Sequence, residues 1–260
     1  MHLQEPTDFV VRELYSAALG RNVRYGAYLP QGEPGARYPV LILLHGADGA
    51  YTDFCDHAHA QLVQLSAAHG LIFVLPEGAK DGWWVDGPLV QQHRYATHLL
   101  SEVLPDSALW LPASERRSIA GISAGGNAAI VSALTHPALF VSVSSLSGAL
   151  DLEWARHRPA LQRALGEYDD DPALWQRWSA RHVLQHQRDT AHTFPLLLTV
   201  GASDLWAESN RVFSAELHAL QIAHTFRELP GEHDWQHWVS LLPEHIAFHA
   251  RALSQLSATP

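Results

Sequence analysis

Apolar and polar positions along this chain fall into two kinds of run. Phe9-Val10-Val11-Arg12-Glu13-Leu14-Tyr15 reads as a strand, and Gly20-Arg21-Asn22 can turn the chain. Val23-Arg24-Tyr25-Gly26-Ala27-Tyr28-Leu29 then alternates with period two, so it is expected to pair back antiparallel. Later strands lack that alternation. Val40-Leu41-Ile42-Leu43-Leu44, Leu71-Ile72-Phe73-Val74-Leu75 and Phe194-Pro195-Leu196-Leu197-Leu198-Thr199-Val200 are nearly continuous apolar runs. Such runs belong to central strands covered on both faces. Arg117 to Ala120, Phe140 to Ser147 and His224 to Leu229 complete the strand set. Helical stretches separate them at 53–69, 91–104, 127–134, 207–220 and 235–253, and a Gly/Pro-rich loop spans 30–39. Strands alternating with helices predict the α/β class. The sheet is mostly parallel, with an N-terminal antiparallel hairpin and helices on both faces.

From 149 to 193 the pattern changes to short helical pieces with three tryptophans and no convincing strand. We read it as a lid-like helical insertion on a single domain spanning 1–260. A chain of 260 residues buries roughly three quarters of its unfolded surface and needs no disulfide or metal to fold. One cysteine, Cys55, excludes an intrachain disulfide and a CxxC metal site. The N-terminal segment 1–6 lacks a basic stretch followed by an apolar core, and no apolar run reaches membrane-span length. The expected setting is cytoplasmic, away from membranes. A formal charge of −10 argues against a nucleic-acid partner. A homo-oligomer is allowed.

Candidate chemistry centres on Gly121-Ile122-Ser123-Ala124-Gly125-Gly126, which has the form G-x-S-x-G. A strand-like run leads in and a small-residue helical run leads out, the context of a nucleophile elbow. A serine hydroxyl needs a histidine to take its proton and an acid to orient that histidine. In the α/β-hydrolase arrangement the chain order is Ser, acid, His. Asp204 directly follows the 194–200 strand, and His233 lies between the last strand and the last helix. All three would project from the C-terminal ends of strands, where ligands bind in open α/β sheets. Asp204 also suits a helix cap. Asp234 and Glu208 are rival acids, and His224 and His237 rival bases. An oxyanion hole needs two backbone N–H donors. Ala124, after the nucleophile, and Ala47, in the His45-Gly46-Ala47 turn, fit that role. His45 is read as structural.

Leu43-Leu44-His45-Gly46, the Gly121–Gly126 elbow, Leu146-Ser147-Gly148 and Gly231-Glu232-His233-Asp234-Trp235 together resemble the esterase D or antigen 85-like esterase family of the α/β-hydrolase superfamily. The resemblance runs from about Leu14 to Phe248. It implies an α/β-hydrolase fold with Ser123, Asp204 and His233 as triad and Ala47 and Ala124 as oxyanion donors. The chain departs from the S-formylglutathione hydrolase branch, which carries a Gly-Leu-Thr-Cys stretch where this chain has Gly46-Ala47-Asp48-Gly49.

Nine tryptophans are many for this length. Trp83, Trp84, Trp206 and Trp235 fall on expected loops at the site rim, where their faces can stack on a sugar or aromatic group. Trp154, Trp175 and Trp178 belong to the insertion, as wall or anchor. The resulting expectation is a serine esterase acting on small-molecule carboxylic esters, short acyl chains favoured, through an acyl-enzyme and with no cofactor or metal. The same triad also serves an acyltransferase or a feruloyl or acetyl-sugar esterase. The non-enzymatic rival is a binding module that kept the fold.

Overall fold

Val40, Ile42 and Leu44 of β3 (Tyr38–Leu44) pack into one apolar cluster, while Leu41 and Leu43 pack into another on the opposite face. That two-sided burial is why the run shows no alternation in sequence. The computed structural model describes residues 9–33 and 35–255. The segment 1–6, and Pro34 of the expected 30–39 loop, lie outside them.

β1 (Phe9–Ser16) and β2 (Arg21–Tyr28) form an antiparallel hairpin. β2 then pairs antiparallel with β4 (Ile72–Leu75). From β4 onward every pairing is parallel, through β3, β5 (Ala113–Ile122), β6 (Val143–Leu146), β7 (Leu196–Gly201) and β8 (Thr225–Leu229). The sheet has eight strands in the order β1-β2-β4-β3-β5-β6-β7-β8. One face is covered by the helices Leu104–Trp110, Ala124–Thr135 and Ala207–Ala219, and the other by Asp53–His69 and Trp235–Gln255. Each fully buried Leu or Ile in these clusters contributes about 1.5–3 kcal/mol, so the strand ends that carry the site stand on a rigid base. No helix among the described residues is long and apolar enough to cross a membrane.

The structure shifts some expected boundaries. Helical backbone begins at Tyr95 rather than 91, because residues 86–94 are held by an Asp86–Arg94 bridge and turn bonds. It passes through a π-helical turn, His98–Val103, and continues past 104 to Trp110. Pro105 does not end it: the π-helical turn lies just before it, with Leu104 N–H bonded to Leu99 O, and such turns accommodate a break in the regular helical ladder. β6 is shorter than the expected 140–147 run, with a 3₁₀ turn, Pro137–Leu139, before it.

The segment 149–193 contains a 3₁₀ turn at Leu152–Ala155 and helices Pro159–Leu165, Pro172–Gln176, Ala180–His186 and Arg188–Ala191. Leu152, Leu161, Leu165 and Trp175 bury against Trp83, Ala124 and Trp206, forming a third apolar cluster above the sheet ends. Of the three insertion tryptophans only Trp175 is wholly buried, donating its indole N–H to Gly166 O at 3.2 Å, and Trp154 is 46 % exposed.

A polar seam crosses the face under the C-terminal helix. Ser118 Oγ lies 2.7 Å from Ser142 Oγ, which lies 2.8 Å from His249 Nδ1. His249 Nε2 meets Ser144 Oγ at 2.7 Å, and the same hydroxyl meets His245 Nδ1 at 2.8 Å. His245 Nε2 ends the row on Thr199 Oγ1 at 3.0 Å. One helix, through residues four apart on one face, thus ties β5, β6 and β7 together with buried, satisfied polar groups.

Candidate active site

At the end of β5 the chain reverses sharply into the helix Ala124–Thr135, and Ser123 sits at the reversal with φ 55° and ψ −117°. That backbone is strained for a residue with a side chain, and strain of this kind is held only when the surroundings fix it. The flanking glycines make it possible. A Cβ on Gly121 would fall 2.2 Å from Gly125 O, and one on Gly125 would fall 2.4 Å from both His45 O and Leu44 O. Ser123 N–H donates to Leu146 O at 3.0 Å, and its carbonyl accepts from Asn127 N–H and Ala149 N–H.

Asp204 and His233 reach the serine from the ends of β7 and β8. Ala202 N–H donates to Leu229 O and Ser203 N–H to Gly231 O, so the two loops run backbone against backbone. A Cβ on Gly201 would stand 2.4 Å from Gly231 O, which leaves no room for a side chain there. The result is a continuous hydrogen-bonded row. His233 Nε2 lies 3.0 Å from Ser123 Oγ, and His233 Nδ1 lies 2.9 and 3.0 Å from the two Asp204 carboxylate oxygens. Burial pushes the Asp204 carboxyl upward, but the His233 bond, the Trp206 N–H at 2.7 Å and the imidazole's field outweigh it and hold the group below the ordinary carboxylate range. An ionised Asp204 only accepts hydrogen bonds, so His233 carries its proton on Nδ1 and leaves Nε2 free to accept from Ser123. Asp204 also accepts from the N–H of Trp206, the N-cap residue of the next helix, so the same carboxylate bonds both the turn before that helix and His233.

Three of the four rival groups are engaged elsewhere. Asp234 accepts from His237 N–H at 2.8 Å and starts the C-terminal helix, and Glu208 pairs with Arg211. His224 bonds Ser214 and Ile222 O. His237 is buried with Nε2 unpartnered. His45 Nε2 accepts from Gly78 N–H at 2.8 Å and Nδ1 donates to Gly46 O at 2.7 Å, while burial lowers its pKa to about 4. It is a neutral bracket for the turn that carries Ala47.

Ser123 opens into a cleft of about 470 Å³. Ala47 lines it, and Ala124 sits at the first position of the elbow helix, where backbone N–H groups lack intrahelical partners. Trp83, Trp206 and Trp235 line it too, Trp235 as the first residue of its helix rather than on a loop. Trp84 does not. It is buried in the main core with its indole N–H on His45 O at 3.0 Å, and neighbouring residues with positive φ, Trp83 and Trp84, send their rings to different places. Trp154, Trp175 and Trp178 are likewise absent from the cleft wall, which the insertion reaches through Arg158. Two wall residues, Trp238 and Arg158, escape the sequence reading. Trp238 stands edge-on to His233 at 4.8 Å between ring centroids. It lies three positions after Trp235, so the helical period carried a usable signal. Nothing in the sequence distinguishes Arg158.

Comparison with known proteins bears on the family and the fold. The family model described as Putative esterase matches residues 16–249. An esterase of Mycobacterium tuberculosis strain H37Rv is 28 % identical over 251 residues, covering 84 % of this chain and 54 % of the relative. The chain therefore spans about half the length of that relative. An S-formylglutathione hydrolase of Paracoccus denitrificans is 26 % identical over 268 residues, covering 92 % of this chain and 91 % of the relative. Among solved structures, an S-formylglutathione hydrolase from Agrobacterium tumefaciens superposes with a TM-score of 0.84 at 21 % identity, covering 95 % of each chain. The architecture is the α/β-hydrolase fold, with its N-terminal antiparallel hairpin.

Proposed function

The chain belongs to the Putative esterase family, and from that membership we propose that it hydrolyses small-molecule carboxylic esters through an acyl-enzyme on Ser123. The observation that carries this reading is the unbroken Ser123–His233–Asp204 row at the mouth of a cleft. Ser123 Oγ attacks the ester carbonyl carbon as its proton passes to His233 Nε2. The Asp204 carboxylate orients the imidazole and stabilises its positive charge. The N–H groups of Ala47 and Ala124 hold the oxyanion, reinforced by the N-terminal end of the elbow helix. His233 then gives its proton to the departing alcohol as the carbon–oxygen bond breaks. Water, deprotonated by the same nitrogen, attacks the acyl carbon and releases the acid and the serine. We read 1–260 as a single domain with the segment 149–193 as its roof, working in the cytoplasm.

A fluorophosphonate probe tests the reading directly. It is expected to add one phosphonyl group, found on the peptide containing Ser123, and His233→Ala should slow that labelling by orders of magnitude. Labelling confined to another residue would overturn the assignment.

We also assign a preference for short acyl chains. The insertion tryptophans cannot impose it, since none lines the cleft, but Trp83, Trp206, Trp235 and Trp238 do line it. A methylene that fits is worth about 0.8 kcal/mol, roughly fourfold in rate, and one that meets an indole wall gains nothing. Across p-nitrophenyl esters, kcat/KM should peak between acetyl and butyryl and fall by octanoyl. A profile still rising at octanoyl would remove this assignment.

A further inference from the structure

We propose that Arg158 forms an anion subsite at the rim of the Ser123 cleft, so that the preferred esters carry a carboxylate on the acyl or the alcohol half. This rests on the esterase reading above. Arg158 lines the cleft together with Ser123, His233 and Trp206. Its side chain is exposed. Its neighbours in the chain, Arg156 and Arg163, pair with Glu153 and Asp81, whereas Arg158 has no acidic partner among the described residues. A guanidinium presents paired N–H donors that match the two oxygens of a carboxylate.

Its backbone position argues against a structural role. Arg158 is the N-cap of the short helix Pro159–Leu165 and makes no side-chain capping bond. That position favours Ser, Thr, Asp or Asn, and the positive end of a helix repels a cation. Local stability would place a different residue here, so the free cation facing the cleft calls for another explanation.

Three carboxylates share the cleft wall, but they do not cancel it. Asp53 accepts from Ala50 N–H at 3.1 Å, and Asp234 is the acceptor for His237 N–H at 2.8 Å. Asp48 and Asp234 come from the loops after β3 and β8 and Asp53 from the first turn of the helix Asp53–His69, whereas Arg158 comes from the insertion after β6. Arg158 is the one Arg or Lys among the described residues of that wall. A formal charge of −10 gives no general attraction for an anionic ester, so a local cation has to supply it. Capture of such an ester therefore depends on this residue.

The test uses two matched ester pairs. p-Nitrophenyl pentanoate and mono-p-nitrophenyl glutarate differ by charge on the acyl side. Phenyl butyrate and 3-carboxyphenyl butyrate differ by charge on the alcohol side. Wild type, Arg158→Ala and Arg158→Lys are compared on each, so that differences in leaving-group reactivity cancel in the ratios. Arg158→Ala should lower kcat/KM for at least one charged ester about five- to twentyfold and leave its neutral partner within about twofold. Arg158→Lys should recover part of the loss, and about 0.5 M salt should shrink the wild-type advantage. The side on which charge matters also gives the orientation of the ester. Charged-to-neutral ratios that neither substitution changes would overturn the subsite while the esterase reading stands. If wild type hydrolyses none of the four esters, the esterase reading falls and the subsite with it.

Discussion

Replacing Ser123 with alanine should lower ester hydrolysis by roughly a thousandfold or more and leave the protein folded. The size follows from the row of bonds at the elbow. Ser123 Oγ is the group that His233 Nε2 meets at 3.0 Å, and no other hydroxyl among the described residues is bonded to that nitrogen. Without it, the cleft and the oxyanion donors can still bind an ester, but no acyl-enzyme forms. Folding should survive because the strain at φ 55° is the same for alanine as for serine, and the glycines that permit it are untouched. The check is p-nitrophenyl acetate hydrolysis, background subtracted, beside a thermal melt. Wild-type turnover by Ser123→Ala would sink the mechanism. Loss of activity accompanied by unfolding would leave the labelling experiment to decide.

Much of this arrangement is legible in the sequence because a parallel sheet buried on both faces writes itself as unbroken apolar runs. β3, β4 and β7 follow the runs at 40–44, 71–75 and 194–200 closely. Ser123 directly follows β5, and Asp204 and His233 come three and four residues after β7 and β8, so chain order alone puts them at one edge of the sheet. What chain order does not carry is side-chain direction in irregular backbone. Trp83 and Trp84 are adjacent, both with positive φ, yet one lines the cleft and the other props His45 O from the core. Composition pointed to both equally. The π-helical turn at His98–Val103 is hidden for a related reason, since Pro105 normally marks a helix end. Arg158 is silent because its meaning comes from a cleft assembled by six separate segments of the chain.

The Ser–His seam is a harder case. Ser118, Ser142, Ser144 and Thr199 look in sequence like weak points in apolar strands, and His245 and His249 like polar residues on a long amphipathic helix. Only pairing across the sheet shows that they satisfy one another. The same holds for His45, whose bracket on Gly78 spans 33 residues of chain.

Acidification should therefore unfold this protein through its buried histidines, with several kcal/mol of stability lost between about pH 6.5 and pH 4.5. Burial lowers the pKa of His45 to about 4 and of His245 to about 3, and holds His249 well below its ordinary value, with the charge of His245 adding to the effect. No carboxylate among the described residues bonds these rings; their partners are hydroxyls and backbone groups. In the unfolded chain an imidazole takes up its proton near pH 6.5. Below that, the unfolded state binds more protons than the native one, so stability falls as pH falls and is whole only above about pH 6.5. At pH 4.5, about two units below that value, His45 and His245 together cost roughly 5 kcal/mol at about 1.4 kcal/mol per unit, and His249 adds in the same direction. That is a large share of the roughly 5–15 kcal/mol typical of a folded domain. Urea titrations at a series of pH values measure it. Wild type should lose about 1.4 kcal/mol per pH unit for each buried histidine below its unfolded pKa. His249→Gln should flatten that slope by about one proton, even though it weakens the seam at neutral pH. A stability curve level from about pH 7 to 4.5, or a slope that His249→Gln leaves unchanged, would mean that these rings already carry protons in the native state.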